Sequence, residues 1–175
     1  GNPPFNPADD RVMLCGGPSV LVDLKQQLLD LGYVEGSISQ PGDFVLHLGD
    51  IVDGGRETQY PKYLEGRTII GRPVHEIPGN HDTEELFCRY IRPQVSHVVE
   101  KGWLRVLMLN NAHRDSHEVF LAPEPITWLS SECETAAAKG QQVIIAMHVP
   151  AHANQHPDRG WFIKPANGQT ALYEL

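Results

Sequence analysis

The feature that most constrains this chain is an alternation. Short apolar runs bounded by Gly and Pro are separated by stretches with helical spacing. "DFVLHLGD" (43–50), "PVHEIP" (73–78), "WLRVLMLN" (103–110) and "QVIIAMH" (142–148) read as strands. "RVMLC" (11–15) and "EVFL" (118–121) read as two more. Between them, Leu21, Leu24, Leu28 and Leu31 recur at helical spacing, with Ser19 as a cap. A second helix is predicted over 58–70, with Pro61 in its first turn, and a third over 84–91, stopped before Pro93. A fourth spans 126–139, opened by Pro125 and closed by Gly140, with Ile126, Leu129, Cys133 and Ala136 facing inward. A last one starts near Thr170. Strands joined through helices need crossover connections, so the pairing is at least partly parallel, with sheet inside and helices outside. The expectation is an α/β fold in a single domain over residues 1–175, with no internal repeat and no linker.

In such sheets ligands gather beyond the carboxyl ends of the strands. Three strands here run into polar residues at that edge: Asp50, then Asn80-His81-Asp82, then His148. A carboxylate, an amide oxygen and an imidazole suit a borderline divalent ion such as Mn, Fe or Zn, whereas Ca²⁺ and Mg²⁺ prefer all-oxygen shells. Each residue has an ordinary alternative. Asp50 could be a turn residue or a helix cap, Asn80 could occupy a left-handed turn position, and His148 could be a satisfied core histidine. Jointly, three such endings, each bracketed by Gly or Pro, point to a site. Asn111, at the end of "LMLNN", faces the same edge as a substrate contact or as support for the ligands. His152 and His156 lie in a loop with Pro150 and Pro157, as substrate contacts or as solvated loop residues; His113 and His117 are weaker versions of the same case. Asp53 is expected to shape the turn after Asp50.

Charge narrows the partners. The net charge of −8 would repel nucleic acid and anionic membrane, so neither is an expected partner. A phosphate-bearing substrate would need a local cationic centre, which a metal can supply. No run approaches the ~20 apolar residues of a membrane-spanning helix, and "GNPPFNPADD" (1–10) has no signal-peptide character. Three widely spaced cysteines make no disulfide framework, which fits a reducing, cytoplasmic setting.

"GDIVDGG" (49–55), "GNHD" (79–82) and "MHVP" (147–150), in that order and spacing, resemble the calcineurin-like metallophosphoesterases over about residues 43–150. The likeness is to the phosphodiesterase and phosphatase branch. Ser/Thr protein phosphatases of the superfamily carry Arg and Glu where this chain has Gly54 and Asp82, so a protein-phosphatase role is disfavoured. The resemblance implies a layered α/β/β/α sandwich of mixed sheets with outer helices. It further implies hydrolysis of a small phosphomonoester or phosphodiester by a metal-activated water at a binuclear centre of two divalent ions. Asp50 would bridge the metals, and Asn80 and His148 would bind the second. His81 would protonate the leaving-group oxygen, and Asp82 would orient His81 and raise its basicity.

Two parts of the family pattern are missing. The strand "RVMLC" runs into Gly16-Gly17-Pro18-Ser19, where the family has Asp-x-His, and the late Gly-His-x-His segment would fall past Leu175. Either the chain omits parts of the domain, including its C-terminal part, or it is a degenerate relative that binds one metal or none and acts as a binding or scaffold module. Cys15 is either a substitute ligand or simply packed.

Overall fold

The computed structural model describes residues 26, 27, 29 and 30, 44–116, 119–151 and 162–175. Backbone proximity separates residues 1–42 from residues 43–175. In the first unit, Gln26, Gln27, Leu29 and Asp30 are helical, and the Gln26 amide donates to Asp30 Oδ1 at 2.9 Å, four residues on. The expected strand at 11–15 and the rest of the first helix lie outside the described residues, as do Cys15, Ser19, His117, His152 and His156.

In the second unit, β1 (Val45–Leu48) and β2 (Val74–Ile77) pair in parallel, Val45 opposite Val74 and Leu48 opposite Ile77. Their crossover is a 3₁₀ turn, Glu57–Gln59, running into α1 (Tyr60–Ile69). Pro61 sits in the first turn of α1, where a missing N–H leaves no hydrogen bond unmade. Tyr63 and Arg67, one turn apart on α1, reach down to the fully buried Glu76 of β2 at 3.1 and 2.8 Å. Burial pushes the Glu76 carboxyl above its ordinary pKa, while Arg67 and the Tyr63 hydroxyl pull it back. That paired charge docks α1 on the sheet. α2 (Glu84–Tyr90) follows β2, with Glu84 and Glu85 in its first turn and Arg89 in its last, each matched to the helix dipole. Its Phe87 packs with Ile51, Val52 and Tyr60 beneath the strand ends.

The other sheet has the order β3-β4-β5. β3 (His97–Lys101) and β4 (Leu104–Leu109) form an antiparallel hairpin that turns through Gly102, whose φ of 55° favours glycine. β4 then pairs in parallel with β5 (Gln142–Met147) through the crossover helix α3 (Pro123–Ala138). Every residue from Arg105 to Leu109 is buried, as the central strand of a covered sheet requires. Arg105 ion-pairs with Glu100 of β3 and Glu132 of α3, tying three elements together. Leu107, Leu109, Leu129, Ile163 and Leu172 form the core beside them, the last from α4 (Gln169–Tyr173).

Three expectations need correction. β3 is an additional strand; "HVVEK" (97–101) is short and ends in charge, so its apolar signal is weak. Residues 119–121 of "EVFL" are not a strand: Val119 and Leu121 are buried, but the Leu121 N–H donates to the Asn167 carbonyl at 2.9 Å and joins no ladder. α3 begins at Pro123, because a proline at the first helical position lacks only an N–H that would be unpaired there anyway. Cys88 and Cys133 are free thiols. Among the described residues no helix is long and apolar enough to cross a membrane.

Candidate active site

β1, β2 and β5 all end at the same edge, and a pair of glycines lets their ends approach closely. After β1 the chain turns through Gly49, at φ 103°, and Asp50, at φ 54°. A left-handed conformation is rare for a residue with a side chain, although Asp tolerates it better than most. A Cβ on Gly49 would lie 2.4 Å from His148 Nδ1, and one on Gly79 would lie 2.2 Å from both Asp50 N and Asp50 Oδ1. The two loops are therefore in backbone contact with each other and packed against the His148 ring, and no other residue type fits at either position.

The side chains meet as a result. His148 Nε2 lies 3.1 Å from Asn80 Oδ1 and 3.6 Å from Asp50 Oδ1. His148 Nδ1 lies 2.7 Å from the Leu48 carbonyl, which can only accept, so Nδ1 carries the proton. In a neutral imidazole Nε2 then presents a lone pair to two oxygens that also bear lone pairs. Three acceptors facing one another favour a cation among them, and this arrangement fits a divalent metal. Among the described residues no three His, Cys, Asp or Glu side chains gather as a metal cluster. The trio supplies an amide in place of a third such group. Three protein donors leave coordination positions open, as catalytic rather than structural sites do.

Asn111 supports this group from behind. It is buried; its Oδ1 accepts from the backbone N–H of His148 at 3.1 Å and of Val149 at 3.0 Å, and its Nδ2 donates to the Val149 carbonyl at 2.8 Å. Its Oδ1 and one Nδ2 hydrogen are committed to the backbone of His148 and Val149, so it supports His148 from behind.

His81 points into a cavity of about 300 Å³ lined by Asp53, Gly54, Asn80, His81, Arg114 and Asp115. Its backbone N–H donates to Asp50 Oδ1 at 3.1 Å, and its ring Nδ1 donates to the Asp53 carbonyl at 3.0 Å, leaving Nε2 without a partner among the described residues. The Asp53 carbonyl raises the His81 pKa most, followed by the charge of Asp50.

Of the two roles expected of Asp82, its charge does add to the influences that raise the His81 pKa, as the last of them, but its hydrogen bonds do not orient His81. Asp82 is buried, and its Oδ2 accepts from the backbone N–H of Gly79 at 2.8 Å and of Ile51 at 3.0 Å. Its Oδ1 accepts from Val52 N–H at 3.2 Å and from the Tyr60 hydroxyl at 3.3 Å. Burial, reinforced by the Asp82 charge, pushes the Tyr60 hydroxyl up to about 12. Asp82 therefore ties the turn after β2 to the loop after β1, and Asp53 takes the orienting position beside His81. His113 is exposed and does not line the cavity.

Residues 16–168 match the family model for calcineurin-like phosphoesterases. The chain belongs to that family. It is 25% identical over 137 residues to a probable glycerophosphodiester phosphodiesterase of Arcobacter nitrofigilis, a match covering 74% of this chain and 50% of that protein. To a glycerophosphodiester phosphodiesterase of Enterobacter lignolyticus it is 26% identical over 118 residues, covering 62% of this chain and 42% of the relative. The chain thus spans about half the length of the curated relatives it matches. A dimetal phosphatase from Danio rerio superposes with a TM-score of 0.57 at 14% identity, over 89% of this chain and 65% of that one, which shows the α/β metallophosphoesterase fold.

Arg114 is the residue in this calcineurin-like site that sequence reading missed. It follows β4 in "NNAHRDSH" (110–117), on the ligand edge of a sheet strand. That position, in an acidic chain, was the available signal.

Proposed function

We propose that this chain carries the site of a metal-dependent phosphoesterase, which hydrolyses a small phosphomonoester or phosphodiester with water. The convergence of Asp50, Asn80 and His148 into a group of facing acceptors supports this reading most directly. Membership of the family implies divalent metal ions as cofactors. Asp50, Asn80 and His148 would hold one ion, Asp50 shared with a second whose other donors are not among the described residues; Mn, Fe and Zn suit this donor set. When bound, such ions lower the pKa of a water and neutralise phosphoryl oxygens.

The chain's own residues supply the rest. Gly49 and Gly79 allow the two loops to meet, and Asn111 fixes the backbone beneath His148. His81, its Nδ1 committed to the Asp53 carbonyl, presents Nε2 to the cavity. Its raised pKa suits it to hold a proton near neutral pH for the departing oxygen. The named relatives are phosphodiesterases, which supports a diester among the substrates.

Hydrolysis of p-nitrophenyl phosphate and bis(p-nitrophenyl) phosphate, measured after chelation and again after adding Mn²⁺, tests the reading. Turnover should vanish and return. His81→Ala should lower kcat by ~10²–10⁴, the scale of a general acid, with metal content unchanged. Zero or one ion per chain with no turnover would favour instead a non-catalytic binding module, the reading that the absence of Asp-x-His after "RVMLC" supports.

A further inference from the structure

We propose that Arg114 is a positioning residue for His81. This rests on the phosphoesterase reading above and goes beyond it by assigning the group that holds the acid in place. Arg114 Nη1 donates to the backbone carbonyl of His81 itself at 2.6 Å. Its Nη2 lies 3.4 Å from the Gly54 carbonyl, and its Nε donates to Asp115 Oδ2 at 2.9 Å. One planar guanidinium thus joins the loop after β1, the turn after β2 and the loop after β4. The backbone repeats that link, because the Asp115 N–H donates to the Asn80 carbonyl at 2.9 Å.

The loop after β1 leaves room for it. Gly55 has a φ of 57°, and a Cβ there would stand 1.8 Å from Arg114 Nη1 and 2.8 Å from the His81 carbonyl. Any side chain at 55 would displace the guanidinium. Arg114 also lines the cavity that His81 faces. A guanidinium has five N–H donors, and the contacts named use three of them.

The consequence falls on proton delivery. In the hydrolysis, the oxygen of water bonds to phosphorus and the bond from phosphorus to the leaving oxygen breaks, its electron pair staying on that oxygen. The proton on His81 Nε2 goes to the leaving oxygen, and water's surplus proton passes to solvent. A p-nitrophenolate departs readily without a proton, whereas an alkoxide does not. A loosened His81 should therefore penalise esters of alkyl alcohols selectively. A side chain with only a structural role would lower both rates alike.

The test compares wild type with Arg114→Ala, Arg114→Lys and Gly55→Ala, each loaded with Mn²⁺, on bis(p-nitrophenyl) phosphate and on a glycerophosphodiester with an alkyl leaving group. Arg114→Ala should lower kcat on the alkyl ester by about 30-fold and on the aryl ester by no more than about threefold, within the range that a misplacement of about 1 Å costs. Arg114→Lys, which keeps the charge but reaches one carbonyl, should recover part of the alkyl rate. Gly55→Ala should show the same selectivity, and combining it with Arg114→Ala should add little to it. Amide hydrogen exchange of residues 79–82 in metal-free protein should quicken about tenfold in Arg114→Ala. Equal losses on both esters, or unchanged exchange, would overturn the assignment. A wild type that hydrolyses neither ester would overturn the phosphoesterase reading, while the exchange rates would still decide whether Arg114 holds the His81 turn.

Discussion

Replacing Asp82 by Asn separates a loop anchor from a catalytic partner. The carboxylate accepts three buried backbone N–H groups and the Tyr60 hydroxyl. The amide would best turn its nitrogen toward Val52 and Tyr60, since the opposite orientation would orphan both Gly79 and Ile51. The Tyr60 hydroxyl can then rotate to accept, but the Val52 N–H is left facing another donor. One orphaned buried donor costs about 2 kcal/mol, and two bonds weakened from charged to neutral acceptor cost about 1 kcal/mol each. Relief of the buried charge offsets part of this, leaving about 3 kcal/mol. For a unit of residues 43–175 that corresponds to a fall in Tm of roughly 10 °C. Urea and thermal unfolding at pH 7, on protein with matched metal content, would read it. A variant within about 0.5 kcal/mol of wild type that had lost most of its turnover would refute the anchor and return Asp82 to His81.

Other perturbations probe the same frame. Gly79→Ala puts a methyl against the Asp50 backbone, so it should cost at least about 3 kcal/mol in urea unfolding, the upper range for overpacking, and a neutral result would deny the contact. His148→Ala should weaken Mn²⁺ binding by more than about 100-fold in calorimetry, and Asn111→Leu by about 10-fold, the scale of an outer-shell partner; equal effects would contradict their separate positions. Burial, then the charges of Arg92 and His75, push His97 down to about 4, and neither of its buried ring nitrogens has a hydrogen-bond partner among the described residues. A folded pKa below the unfolded one leaves this stability complete above about pH 6.5. It should decline as pH falls toward 4, by no more than about 3 kcal/mol. His97→Phe should flatten that acid limb, leaving a residual slope from His75, whose pKa is also lowered by burial; an unchanged limb would place the acid sensitivity elsewhere.

The strands ending at Asp50, Asn80 and His148 were legible because each is an apolar run stopped by Gly or Pro, a signal local in sequence. Their convergence was legible too, since crossover topology brings strand ends to one edge. The role of Asp82 was not. Adjacency to His81 suggested a partner, whereas the turn rotates the two side chains apart, one toward the cavity and one under the loop. Asp53 acts through its backbone carbonyl, which no residue type announces. Arg114 lies 33 residues beyond the carbonyl it holds, a contact only the fold creates. β3 escaped because a five-residue strand ending in Glu100 and Lys101 resembles a solvated loop.

The abutment of Gly49 with Gly79 and His148 divides the site into a part that cannot drift and a part that can. At the strand tips even a methyl group collides with main chain, so the positions that gather donor atoms are closed to gradual exploration. A few residues farther out, Asp53 and Asp115 line an open recess with room to change. Relatives sharing this frame should then diverge in what they accept by exchanging residues along that outer rim, while the spacing of the donor atoms behind it stays constant.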